Sequence, residues 1–292
     1  MKKIFRYWLG LLVISMLVVL GGCAKLSRSA NQVDNGQAEW NNIQRRGTVV
    51  IGLDDSFVPM GFQQRNGTIS GYDVDLAKAV FKQYNLKVDF QSIDWSMNVT
   101  ELRNGTIDLI WNGFSINNQR KKVLMFSEPY LQNKQVLVTK TNSKINTLKQ
   151  MNEKVLGLQS GSAGALDFDK YPQLLKNQVK DQDSVQYDSF TNAFLDLNAG
   201  RIQGLLIDSV YANYYINHQK DKSSYKVIDT NYPMEYYGVG IKKGNTVLQQ
   251  KINQGLNRLA KSGELAKINH KWFGNTASSP LITTTDGKIN AK

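Results

Sequence analysis

The sequence predicts an α/β protein of about two domains, built on largely parallel sheets. Three observations carry that prediction. Apolar strand-like runs alternate with amphipathic helix-like ones from about residue 48 to residue 272. The chain has 292 residues, and loss of a 22-residue leader would leave 270, near twice the roughly 150 residues of one domain. Apolar residues make up 41% and charged ones 21%, a globular mix that excludes wholesale disorder, collagen and a multi-span membrane protein.

The elements follow in order. Thr48-Val49-Val50-Ile51-Gly52 is a buried strand, followed by a loop marked by Gly and Pro. Gly71-Tyr72-Asp73 opens a helix whose Val74, Ala77, Val80, Phe81 and Tyr84 recur at three- and four-residue spacings. Val88-Asp89-Phe90 is a strand, and Val99 to Leu102 a short helix stopped by Asn104-Gly105. Ile107 to Trp111 and Gln135 to Thr139 are further strands. The pattern restarts with a strand from Val155 to Leu158, a helix near Ser162 and a strand near Val185. A helix from Phe190 to Leu197, a strand from Leu205 to Ile207 and a helix from Val210 to Ile216 come next. A strand from Val239 to Ile241 precedes two amphipathic helices, Val247 to Ala260 and Leu265 to Trp272. No repeat of fixed period is present.

The first 22 residues read as a secretory signal peptide. Lys2, Lys3 and Arg6 precede an apolar run from Trp8 to Leu20, closed by Leu20-Gly21-Gly22-Cys23. That run is shorter than the ~20 apolar residues of a spanning helix. Leu-Gly-Gly-Cys looks like a bacterial lipobox, whose Cys becomes the acylated (palmitate-type) first residue of the mature protein. Cys23 is the chain's only Cys, and two or more acyl chains at about 0.8 kcal/mol per buried CH₂ anchor firmly. The alternative is an ordinary thiol that happens to follow the leader. A lipid-anchored protein on the extracellular face of the cell membrane is expected. Residues 23–41 read as the anchor and a flexible tether, and 275–292 as a disordered tail.

Charge and rare residues narrow the chemistry. The net charge is +12, of which the leader holds three, so +9 remains on the mature chain. Such a balance favours anionic surroundings such as lipid headgroups or wall polymers, and nucleic acid is not expected outside the membrane. One Cys allows no internal disulfide, and two distant His residues, His218 and His270, leave little for a zinc site or a His-based triad. No metal and no cofactor are expected.

Several segments carry candidate chemistry. Asp73 and Asp75, two apart, cannot face each other on a helix, so Asp73 reads as an N-cap. Ser160-Gly161-Ser162-Ala163-Gly164 lies between a strand and a helix and either cradles an anion or merely turns the chain. It lacks the Lys-Ser/Thr of a nucleotide P-loop. Asn112-Gly113-Phe114-Ser115 ends a strand, where α/β sheets place ligands. Arg120, five residues on, is either a carboxylate fork or a solvated neighbour of Lys121 and Lys122. Asp208 ends the apolar run Gly204-Leu205-Leu206-Ile207, as an ammonium partner or as a helix cap. Phe57, Phe62, Trp95 and Trp111 read first as core residues, with Phe57 and Trp95, which follow polar loop residues, as the alternative walls of a ligand pocket.

In series, these segments resemble bacterial extracellular solute-binding proteins of the polar amino-acid uptake family, the receptors of ABC importers. The resemblance runs from about Gly47 to Phe273. It rests on Ile51-Gly52-Leu53-Asp54 with Phe57 and Pro59, Gly71-Tyr72-Asp73-Val74-Asp75-Leu76-Ala77, then Leu102, Gly105 and Asp108. Ser115 with Arg120, Phe126-Ser127-Glu128-Pro129-Tyr130, Gly161-Ser162, Ala199-Gly200-Arg201 and Asp208 complete it. The resemblance implies a two-lobed, flytrap-like periplasmic-binding-protein fold, two doubly wound sheets joined by two crossing strands. Lobe one would span 42–136 plus 233–274, and lobe two 137–232.

The resemblance also implies roles. Arg120 and the N–H groups of Gly113 and Ala163, beside Ser162, would take an α-carboxylate. Asp208, the Ser115 hydroxyl and the Gly113 carbonyl would take the α-ammonium. Phe57 and Trp95 would sandwich the side chain, Asp54 would meet its polar end, and Asn112 would add selectivity. Ala163 stands where relatives often carry Thr or Ser, and Gln203 where they usually carry Asp, read here as structural. The expected partners are one amino acid, an ABC permease with its ATPase, and the membrane, with the chain acting as a monomer. Asp54, Asp55 and Asp94 near the pocket disfavour acidic ligands, so a neutral polar or basic amino acid is expected. The alternatives are a cystine receptor, a surface adhesin, and, most remotely, a dehydratase-like enzyme.

Overall fold

The computed structural model describes residues 35–274 and 278–281. The leader, Cys23, the tether up to residue 34 and most of the tail lie outside the described residues. Among the described residues no helix is long and apolar enough to cross a membrane.

Two five-stranded sheets with one helix-flanked plan form the two lobes. In the first, the strand order is Lys87–Ser92, Thr48–Leu53, Leu109–Ile110, Gly240–Lys242, Leu124–Phe126. In the second it is Ser184–Tyr187, Leu156–Gln159, Gly204–Asp208, Gln135–Lys140, Tyr225–Asp229. The first three strands of each are parallel. The expectation of largely parallel sheets holds for the direction of four strands in each five; the one exception in each, Gly240–Lys242 and Gln135–Lys140, runs antiparallel to both neighbours. Both enter straight from the crossing segments, with no helix between to reverse the chain.

Those crossing segments, Leu131–Asn133 and Glu235–Tyr237, pair antiparallel as a two-stranded ribbon, Glu235 opposite Asn133 and Tyr237 opposite Leu131. Strand alternation puts Glu235, Tyr237, Leu131 and Asn133 on the buried side. Tyr236 and Gln132 face the other way.

Two segments are more ordered than their composition suggests. Residues 37–41, expected as tether, begin the helix Gln37–Arg46, which buries Trp40 and Ile43. Trp40 meets Tyr84 edge-on at 5.5 Å. Two large apolar residues in ten are too few to show a period, yet at i, i+3 they suffice to dock one face. In the presumed tail, the Gln132 N–H donates to the Ser278 carbonyl at 2.9 Å, Ser279 is buried, and Leu281 packs against the core. Those residues bind to the open edge of the ribbon.

The helix Tyr72–Lys82 buries Val74, Ala77, Val80 and Phe81 of the predicted face, and Leu76 besides; the fifth predicted residue, Tyr84, lies past its end and is half-buried. Its start is a tight docking site. Gly71, at φ 151°, lies so near the Met60 carbonyl that a Cβ would stand 2.2 Å from that oxygen. The N–H groups of Tyr72 and Asp73 donate to the carbonyls of Pro59 and Met60. Gly71→Ala should therefore lower stability by about 1–3 kcal/mol, read as a lower urea midpoint.

Candidate functional site

Parallel strands end where the two lobes meet, and those ends supply the site. Asp54 follows Thr48–Leu53, Gly113 and Ser115 follow Leu109–Ile110, Gln159 ends Leu156–Gln159, and Asp208 ends Gly204–Asp208. Phe57, Trp95, Gly113, Ser115, Arg120, Ser162, Ala163 and Asp208 line one cleft cavity together with Gln159. Its volume of about 10 Å³ is room for one water. A molecule larger than a water does not fit this volume.

Arg120 is buried on the short helix Asn118–Val123, whose Asn117 cap accepts the Arg120 N–H. Its Nη1 donates to the Ser115 carbonyl at 2.9 Å and its Nη2 to the Gly161 carbonyl in the opposite lobe at 3.0 Å. The guanidinium lies 4.0 Å from the Phe114 ring centre. Burial pushes its pKa down to about 10, against the pull of Glu235, Asp208 and Asp167. It stays a cation at neutral pH.

Asp208 opens the helix Ser209–Asn217 but makes no capping bond with its side chain. Its carboxylate instead accepts from Asn133 Nδ2 at 2.5 Å, Gln135 Nε2 at 3.3 Å and the Tyr237 hydroxyl at 2.8 Å. All three donors are neutral. Burial, then the nearby Glu235, pushes its pKa up to about 7.

Asp54 is buried and, unlike the expectation, does not itself line the cavity; it touches it through Gln159, which does. Its Oδ1 accepts from the Ser56 N–H and hydroxyl, and its Oδ2 from Gln159 Nε2 at 2.7 Å across the lobes. Burial raises its pKa, with the Ser56 and Gln159 bonds opposing. Asp94 turns elsewhere, capping the single turn at Trp95 by accepting from Ser96. Phe57 packs on Phe190 and Tyr211 at 5.8 and 5.4 Å between ring centres, while Trp95 meets Phe114 edge-on.

Three sequence readings change. Asp73 is no N-cap: that position belongs to Gly71, and the buried Asp73 carboxylate accepts from the Gly113 N–H at 2.6 Å and the Tyr130 hydroxyl at 2.9 Å. The Gly113 N–H is thereby committed and cannot take a ligand carboxylate. Asn112 does not line the cavity; its side-chain carbonyl accepts the Asp54 N–H at 3.1 Å, bracing the loop that carries Asp54. Ser162 caps the helix Ala163–Lys170 by accepting the Ala165 N–H. The Ala163 N–H, in that helix's first turn, has no acceptor within the helix. Trp111 is fully buried core, and Phe62 sits outside the cleft against Trp272. Gln203 is structural as read, accepting from the Val155 N–H and donating to the Gly200 carbonyl.

Gln159 and the ribbon residues Asn133, Glu235 and Tyr237, with Gln135, escaped sequence reasoning. Gln159 had a signal, since it directly precedes the Ser160–Gly164 loop. The others had none, because nothing local shows which side of a crossing strand faces a cleft. Among the described residues no group of three or more His, Cys, Asp or Glu side chains could hold a metal ion.

Residues 49–275 match the family model for bacterial extracellular solute-binding proteins, family 3. The ABC transporter arginine-binding protein 1 of Escherichia coli is 30% identical over 76% of this chain and 89% of its own. The L-cystine-binding protein TcyJ of the same organism is 28% identical over 80% and 85%. A solved ABC uptake substrate-binding protein from Streptococcus pneumoniae with bound histidine is 44% identical, with a TM-score of 0.81 over 82% of this chain and 98% of that one.

Asp54, Asp73 and Asp208 all hold protons more tightly when folded than the ordinary value of 3.8. Asp73, pushed by burial to about 7, matches Asp208 in this. The folded state therefore binds more protons than the unfolded chain between about pH 4 and 7, and stability falls as pH rises through that window. Thermal melts without ligand should give a higher Tm at pH 5 than at pH 8.

Proposed function

The chain belongs to the bacterial extracellular solute-binding proteins of family 3, and from that membership we propose how its cleft recognises its cargo. It is an amino-acid receptor of an ABC importer, working outside the cytoplasm and capturing a polar amino acid between its two lobes. In the proposed pose Arg120 and the Ala163 N–H hold the α-carboxylate. Asp208 and the Ser115 hydroxyl hold the α-ammonium. The side chain lies by Phe57 and Trp95 and reaches Asp54, displacing the Gln159 amide. The Gly113 carbonyl is a further acceptor for the ammonium.

The observation that carries this reading is the convergence of the buried Arg120 cation and the buried Asp208 carboxylate on one cavity between lobes. A zwitterion brings the matching charge to each, and neither end then stays buried unpaired. Micromolar affinity needs only about 8 kcal/mol. Asp54 favours an N–H-bearing side chain, so the cargo is a basic or neutral polar amino acid, in keeping with the relatives that bind arginine and histidine. The lining residues include no His, Lys or Cys, which supports binding without catalysis. A lipid anchor at Cys23, a monomeric receptor and delivery to a permease driven by its ATPase complete the proposal. Ligand-driven lobe closure is the signal such a permease would read.

A thermal-shift screen of residues 24–292 against the twenty amino acids, cystine and ornithine tests it. A ligand at 100 times its Kd adds about 2.7 kcal/mol, so one or two clear shifts are expected, and a blank screen on folded protein overturns the reading. For the cargo so found, Arg120→Ala and Asp208→Ala should each weaken binding by about 2–5 kcal/mol, and normal binding by either would remove that residue from the site. Because an ammonium needs Asp208 ionised, affinity should fall as pH drops below about 7. Calorimetry near pH 7 in buffers of different ionisation enthalpy should show proton release on binding.

A further inference from the structure

The returning strand of the ribbon carries a second carboxylate into the ammonium site. Glu235 is buried, and the Ser115 hydroxyl donates to its Oε2 at 2.8 Å. Asn133 Nδ2 donates both to that Oε2 at 2.9 Å and to Asp208 Oδ1 at 2.5 Å. Gln135 Nε2 makes a second bridge, 3.3 and 3.2 Å from the two Glu235 oxygens and 3.3 Å from Asp208 Oδ1. Two side-chain amides thus hold two carboxylates side by side. The other charged groups facing Glu235 are Arg120 and the half-buried Asp167 of the helix Ala163–Lys170. The Tyr237 hydroxyl points at Asp208.

The Ser115 contact decides what the cavity sees. A serine hydroxyl has one proton and two lone pairs. With its proton spent on Glu235, Ser115 can only accept from whatever fills the cavity it lines. Beside Asp208, an acceptor welcomes an N–H donor and repels a carboxylate.

We propose that Glu235 is a positioning residue for the α-ammonium: it aims the Ser115 lone pairs into the cleft and, through Asn133 and Gln135, fixes the place of Asp208. This rests on the amino-acid reading above and deepens it. Because Glu235 and Asn133 are paired across the two crossing strands, the ammonium's contacts are tied directly to the ribbon that joins the lobes.

The test is a double-mutant cycle with Glu235→Gln and Ser115→Ala, read as calorimetric Kd for the cargo of the wild-type protein, with circular dichroism as the check of folding. A Gln amide can donate to Ser115 and turn the hydroxyl proton toward the ammonium. Glu235→Gln should therefore weaken binding about tenfold or more, the scale of one hydrogen bond to a charged group. Because Ser115→Ala removes a contact that Glu235→Gln already disturbs, the two changes should be non-additive, the double variant binding no worse than Glu235→Gln alone. Binding by Glu235→Gln within twofold of wild type, or losses that multiply, overturns the proposal. Should Glu235→Gln not fold, Glu235→Asp carries the same test, since it keeps the charge while drawing the oxygen away from Ser115. A wild-type protein that binds no amino acid would fail earlier, at the receptor reading, and take this proposal with it.

Discussion

Charge held away from water between two lobes is the constraint on which the rest of this molecule depends. A guanidinium or carboxylate moved out of water costs several kcal/mol unless other groups replace its hydration. Here every charged group of the cleft is met by dipoles. Arg120 donates to two carbonyls and lies on Phe114, Asp54 accepts from Ser56 and Gln159, and Asp208 accepts from two amides and a phenol. Dipoles keep such a site folded without neutralising it. The unbalanced charge that remains is what a zwitterion can use.

The two sheets bring those charges together by sharing one plan. Each lobe has three parallel strands and a fourth strand delivered by the crossing ribbon. The parallel strands of both lobes end at the cleft, so loops from each face loops from the other. The ribbon alone belongs to both lobes, and its inward residues Asn133, Glu235 and Tyr237 reach the Asp208 carboxylate directly or through a shared amide. The connection between the lobes and the binding cleft are therefore one hydrogen-bonded unit. A residue such as Asp73 extends it to the rear, gripping the Gly113 loop from the buried start of a helix.

Some of this was legible residue by residue. The periodic face of Tyr72–Lys82, the stop at Asn104-Gly105 and the buried runs at 48–53 and 204–208 followed from local pattern, because a helix or strand displays its own period. Arg120, Ser115 and Asp208 could be listed as candidates on residue type and strand-end position. Other features were illegible for definite reasons. The helix Gln37–Arg46 buries only two apolar residues, too few to mark a face. Asp73 before a helical run has the local signature of a cap whether it caps or turns inward. The commitment of the Gly113 N–H depends on Asp73, forty residues away.

The sequence by itself determined the α/β class, the order of the longer strands and helices and most of the polar residues that would meet in a cleft, since these depend on local spacing and on family resemblance. Tertiary structure alone decided how those groups are shared out. It assigned the Gly113 N–H to Asp73, Asn112 to the Asp54 loop, the Gln159 amide to Asp54, and the Ser115 proton to Glu235. The reason is physical. Which donor satisfies which buried acceptor depends on the geometry of chains 40 to 120 residues apart in sequence, and that information exists only once the ribbon has folded the two sheets together.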